Sequence, residues 1–239
     1  MFAVRWAAGD RAAPASTPPV RHSFGDLHFF GAFRRFGSEE LSISEEAVGC
    51  RAVAPTEHNG TVATYLAFLR AINLGKTRVF PKDDIRRAVE AAGFADAATH
   101  INTGNVRFTT SMRSRPRIEA QLERAFAVDR GFEVPTIVFS AAEFTEIADT
   151  GRRLSAERPG LARHYVYLLK EEPSPATVAD IAATSSELGE MVVSGRAAHA
   201  LLQPGYVEGR TDPLRAAKLL GVATNRTLAV VTTLADRWC

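Results

Sequence analysis

The residues Thr64 to Ile72, TYLAFLRAI, constrain the fold of this 239-residue chain more than any other stretch. Tyr65, Ala67 and Leu69 alternate with Leu66, Phe68 and Ile72, and both sets are apolar. Successive side chains of a strand point to opposite faces, so the pattern predicts a strand buried on both sides and central in its sheet. Arg70 interrupts the run. Asn73, Leu74 and Gly75 form the exit, with Lys76 and Arg78 in the loop beyond.

The following residues supply the partners that such a strand needs. Pro81, Asp83 and Asp84 open a helix whose Ile85, Ala88, Val89 and Ala92 share one face, and Gly93 stops it. Ala98–Asn102 and Val106–Thr110 read as two strands joined across Thr103-Gly104. Ser114 and Pro116 open a second helix bearing Ile118, Leu122, Ala125 and Phe126, closed by Gly131. Val134–Phe139 is a fourth strand, with Pro135 suited to an edge because proline cannot donate to a ladder.

The order βαββαβ predicts a ferredoxin-like sheet with the first and third strands antiparallel at its centre and the fourth at an edge. That topology gathers Arg70, Asn73, Thr103, Gly104 and Asn105 at one end. Guanidinium, amide and hydroxyl groups there, with Lys76 nearby, suit a small polar or anionic ligand. The competing reading has Asn73 and Asn105 bonding their own turns and Arg70 pairing with a carboxylate such as Asp83.

Beyond this sheet, Ser140 and Glu143 form a capping box that opens a short helix, and Thr150–Arg163 reads as a loop. Tyr165–Leu169 predicts a strand, Ser174-Pro175 a helix start, and Met191–Ser194 with His199–Leu202 a hairpin across Gly195-Arg196. Asp212-Pro213 predicts a helix ending at Gly221. The final TNRTLAVVTTLADRW mixes β-branched residues with a helical face of Leu228, Val231, Ala235 and Trp238, and a helix with Thr224 at its cap is the expectation. The class is therefore α+β. Residues 62–140 form a ferredoxin-like subdomain, and 141–239 a related βαββα plus C-terminal helix, an echo that suggests internal duplication.

Residues 1–61 differ in character. Pro14, Pro18 and Pro19, the aromatic patch Leu27–Gly37 and the acids from Glu39 to Glu46 show no sustained period, so an extension outside the fold, or a native start at Val62, is expected.

From Thr64 onward the chain resembles the bacterial family known as domain of unknown function 1697. YLAFLRAINLG at Tyr65–Gly75 and HINTGNVRF at His100–Phe108 carry the resemblance. It implies a two-part α+β fold with no established activity, and it marks Arg70, Asn73, Gly75, Gly104 and Asn105. In the second half, Arg210 stands where members usually carry a lysine. Thr224 and Arg226 remain from a Thr-x-Arg-Asn-Trp-Asn run, whereas Thr227, Leu228 and Ala229 replace its last three residues.

Charge and composition narrow the function classes. A net charge of +2 marks no obligate nucleic-acid binder, and two cysteines make no disulfide framework. No apolar run is long enough for a membrane span, so a cytoplasmic setting is expected. The six histidines show no metal-ligand spacing, and phosphate-loop, dinucleotide and serine-elbow motifs are absent, so no cofactor and no metal are expected. Two alternatives to ligand binding stand. One is a nucleic-acid-binding module using Lys76, Arg78, Arg86, Arg87 and Arg107; the other is an enzyme working by hydrogen bonds and electrostatics. The strand NVRFTT offers an RNA-recognition sheet only Phe108.

Overall fold

The computed structural model describes residues 61–208 and 212–239. The expectations for residues 1–60 and for Arg210 fall outside the described residues.

The first half runs β1 (Ala63–Leu69), α1 (Lys82–Ala91), β2 (Ala95–His100), β3 (Asn105–Thr110), α2 (Arg115–Arg130), β4 (Thr136–Ser140) and α3 (Ala141–Glu157). Its sheet has the order β2-β3-β1-β4, antiparallel throughout, with β1 central as its two apolar faces require. Tyr65, Ala67 and Leu69 face α1 and α2, packing with Val89, Leu122 and Phe126. Leu66 and Phe68 face the opposite way.

The second half runs β5 (Arg163–Leu169), α4 (Pro175–Ala182), β6 (Gly189–Ser194), β7 (Ala197–Leu202), β8 (Ala223–Thr227) and α5 (Leu228–Trp238), with sheet order β6-β7-β5-β8. The two sheets thus share one topology, and the correspondence reaches single bonds. Leu69 N donates to Gly104 O at 2.8 Å, and Leu169 N to Arg196 O at 2.9 Å. Arg70 N donates to Pro135 O, and Lys170 N to Val222 O, both at 2.9 Å. Tyr65 lies opposite Ser140 and Tyr165 opposite Thr227, and each of those hydroxyl residues caps the following helix.

Helices α3 and α5 lie between the sheets. Phe144, Ile147, Val231 and Leu234 share one core with Phe68 and Phe139 of the first sheet and Val166 and Leu168 of the second. The outer face of the second sheet is covered by Ile181 of α4 and by Leu214, Ala216 and Leu220.

Four expectations need correction. Thr150–Arg163 is not a loop, because α3 continues to Glu157. Gly151 sits inside that helix where a Cβ would collide with the Leu228 side chain of α5, so it marks a close helix crossing. Asp212–Leu220 forms turns instead of a helix: the Asp212 carboxylate accepts from Ala216 N (2.9 Å) and Ala217 N (3.2 Å), and Arg215 adopts a left-handed φ of 59°. The last segment is a strand followed by a helix, and Thr227, not Thr224, accepts the capping bond from Val230 N. Strand β2 begins earlier than expected, with a bulge between Ala95 and Ala98, and ends at His100 because Ile101 turns left-handed at φ 47°.

Edge strand β4 is sealed from its own helix. Glu119 accepts from Val138 N at 3.0 Å and Glu123 from Thr136 N at 2.9 Å, so carboxylates of α2 occupy the open ladder positions. Lys170 neutralises them, lying 2.5 Å from Glu123 and 3.9 Å from Glu119. Among the described residues no helix is long and apolar enough to cross a membrane.

Candidate functional site

The turn between β2 and β3 meets β8, and there residues from both halves converge. Asn105 is fully buried; its Nδ2 donates to Thr103 Oγ1 (2.9 Å) and His100 O (3.2 Å). Its Oδ1 accepts from Arg226 Nε at 2.6 Å. Arg226 also donates through Nη1 to Thr224 Oγ1 (2.9 Å) and Asn225 O (2.6 Å), and through Nη2 to Thr103 O (2.7 Å). A guanidinium has five N–H donors, so one on Nη2 remains uncommitted.

Arg226 is 9% exposed and has no carboxylate partner among the described residues. Burial pushes its guanidinium down to about 10. A buried cation without a counter-ion is costly, and its polar bonds and the Phe68 ring, 5.7 Å from Cζ, offset that cost only partly.

Arg226 forms part of the wall of a cavity of about 430 Å³ shared with Ile72, Asn73, Thr103, Tyr165 and Asn225. Among the described residues this wall contains no Asp, Glu, His, Cys or Lys. Three residues on it, Ala71, Asn73 and Ile101, hold left-handed backbone at φ 57°, 54° and 47° without being glycine. Such conformations cost of order 1–3 kcal/mol each and concentrate where surrounding structure holds them for a purpose.

Asn73 is the clamp for its own loop. Its Nδ2 donates to Asn102 O (2.8 Å) and Phe80 O (3.1 Å), and its Oδ1 accepts from Phe80 N (2.8 Å). Gly104 is a packing position: at φ 76°, a Cβ would lie 2.8 Å from Leu69 Cβ and 2.9 Å from Ile72 Cδ1. Gly104→Ala is therefore expected to lower stability by about 2–4 kcal/mol in urea denaturation, from left-handed strain and overpacking together. A loss below 0.5 kcal/mol would show that the turn relaxes freely.

Arg70 is exposed, and its Nε donates to Ala223 O at 3.0 Å rather than pairing with Asp83. It lines an adjoining cavity of about 300 Å³ together with Tyr167, Leu220 and Gly221. The two cavities share Ala71, Leu74, Thr224 and Asn225, so they form one cleft. Gly75 and Lys76 line neither part.

Of the basic residues considered for nucleic acid, Arg86 pairs with Glu90, Arg87 with Asp84, and Arg107 donates to Asp96 O. Arg78 donates to Ala71 O and Glu133 O and stacks on Phe132. Only Lys76 of that set has no partner among the described residues.

Sequence reading missed Asn225, Tyr165 and Tyr167 at the cleft, and Arg196 outside it. Asn225 stood between two marked residues, Thr224 and Arg226. Arg196 is 9% exposed in its side chain and bonds Val138 O, Leu169 O and Glu143, a joint between the sheets.

A second polar chain lies against α3. Ser155 Oγ is 2.8 Å from His164 Nδ1, and His164 Nε2 is 3.0 Å from His199 Nδ1. The buried Nε2 of His199 has no partner among the described residues. Burial pushes His164 down to about 4, helped by Arg158, and His199 to about 3, helped by His164 and Arg153.

These features define a two-sheet α+β protein of ferredoxin-like topology with a carboxylate-free cleft at the junction of its halves. The chain belongs to the family described as Protein of unknown function (DUF1697), whose model matches residues 62–199. Among solved structures, the conserved bacterial protein SP0830 from Streptococcus pneumoniae is similar, with a TM-score of 0.56 and 19% identity. The match covers 74% of this chain and 99% of that one, and at this identity it shows the fold alone. No curated protein matches the chain.

Proposed function

We propose that the chain binds a small anionic ligand, a carboxylate or phosphate, in the cavity beside Arg226. The observation that carries this reading is the buried guanidinium without a counter-ion, with one N–H uncommitted, on a wall that holds no carboxylate. An anion entering there would supply the missing charge, and a charge-assisted bond in a site of low dielectric is strong. Asn73, Thr103 and Asn105 act as scaffold for that arginine and its loop, while Thr224 and Asn225 are the polar groups beside the ligand. The volume of about 430 Å³ lies within the range of metabolite pockets.

The wall offers hydroxyls and amides but no nucleophile–base pair, which favours recognition over covalent chemistry. The free thiol of Cys239 suits a reducing, cytoplasmic setting. The test is a thermal-shift and calorimetric screen of phosphate and carboxylate compounds against the wild type and Arg226→Met. Binding is expected to vanish in the variant, with its fold checked by circular dichroism. A ligand bound equally well by Arg226→Met would place recognition elsewhere. Single-site anion binding should also weaken far less with salt than nucleic-acid binding, whose affinity falls steeply as phosphate contacts accumulate.

A further inference from the structure

We infer that the ligand is two-headed: an anion with a second acidic group, one head at Arg226 and the other at Arg70 along the shared cleft. This rests on the reading of the Arg226 cavity and adds the ligand's chemical class.

Arg70 and Lys170 are corresponding residues, each following the last residue of a central strand and each bonding the start of the neighbouring edge strand. Each side chain also lines a cavity at the edge strand of the other sheet. At the first sheet the cavity, of about 420 Å³, includes Glu123 and Glu133 beside Lys170, and Lys170 is neutralised by Glu123 at 2.5 Å. At the second sheet the cavity beside Arg70 contains no Asp or Glu among the described residues.

The difference follows from the fold. The carboxylates that bond the first edge, Glu119 and Glu123, are carried by α2, the helix between β3 and β4, and Glu133 follows in the loop. Between β7 and β8 the described residues form turns instead, and no carboxylate among them bonds the edge of β8 or the Arg70 guanidinium. Arg70 is held in place through Nε on Ala223 O, and its two Nη groups have no protein partner among the described residues.

The two halves of the cleft are therefore alike in charge. One end presents a buried arginine, the other an anchored, unneutralised one, and Thr224 and Asn225 are common to both. A single acidic group satisfies only one of them. A bisphosphate or dicarboxylate satisfies both, with its linker passing Leu74, which is 65% exposed at the shared wall.

The test compares matched probes by isothermal titration: propyl phosphate against propane-1,3-diyl bisphosphate, and butyrate against glutarate. In the wild type the two-headed member of at least one pair is expected to bind about tenfold tighter, the worth of one charge-assisted contact. Arg70→Gln, a change at an exposed residue, should bring the two-headed probe down to the one-headed affinity. The pair that responds distinguishes phosphate from carboxylate chemistry. Equal affinities within both pairs, or a tenfold ratio that survives in Arg70→Gln, overturn the two-headed ligand. If one-headed probes bind and require Arg226, the Arg226 reading stands while this one falls. If no probe binds, both fall.

Discussion

Arg196→Met is expected to lower the unfolding free energy by about 3–5 kcal/mol, the scale for removing one member of a buried charged network. Its guanidinium lies 4.2 Å from the centre of the Phe139 ring and makes two bonds of 3.0 Å to Val138 O. It also reaches Leu169 O at 3.0 Å and Glu143 at 3.2 Å. Val138 belongs to the first sheet and Leu169 to the second, so a single side chain ties them together. Truncation removes a donor from two carbonyls and the ion-pair partner of Glu143. Urea denaturation should show a lower midpoint at unchanged slope, and Arg196→Lys should recover part of the loss. A change under 1 kcal/mol would mean that the shared apolar core and the other polar contacts between the halves, at Arg226 and Lys170, suffice to join the sheets.

Acidification is expected to destabilise the protein below about pH 6.5, by several kcal/mol in all. His164 and His199 titrate at about 4 and about 3 in the folded chain, below the ordinary 6.5. The unfolded chain therefore takes up protons that the folded chain refuses. The contribution is full above pH 6.5 and is lost as pH falls toward the folded values. Arg153 and Arg158 add to the penalty on a histidinium there. Glu119, pushed up by burial, has the opposite sign, since its folded state holds a proton longer than the unfolded one. The comparison is therefore made between the wild type and a His164→Gln, His199→Leu double variant, by urea titration at pH 7.5, 6.0 and 5.0. The variant should show a flatter pH dependence; identical slopes would exclude the pair as its source.

The first half was legible because its information is local. The double-faced apolar run at Tyr65–Leu69 could only be a central strand, and the helix starts at Pro81 and Ser114 bracket it. The order of elements then placed Arg70, Asn73 and Asn105 near one another. What sequence reading missed was set by contacts distant in the chain. Thr150–Arg163 read as a loop, whereas Gly151 belongs to α3 and packs against Leu228 of another helix. Asp212-Pro213 had a helix-start pattern, but the Asp212 side chain closed a turn instead. The last strand was hidden because β8 and α5 abut without a linker, so one stretch carried both a β-branched and a helical pattern. The role of Arg226 was invisible for the same reason: Asn105, its partner, lies 121 positions away.

Two of the junctions between the halves are locked by arginines placed in opposite senses. Arg196 reaches from a hairpin turn to a fourth strand, and Arg226 from a fourth strand to a hairpin turn. In a symmetric homodimer of one such half, any substitution would alter both junctions at once, because an isologous pairing repeats every residue. Joining the halves in one polypeptide removes that constraint. One junction is then free to specialise as a permanent fastening while the other keeps open space beside an unbalanced charge, a division of labour that identical subunits could not evolve.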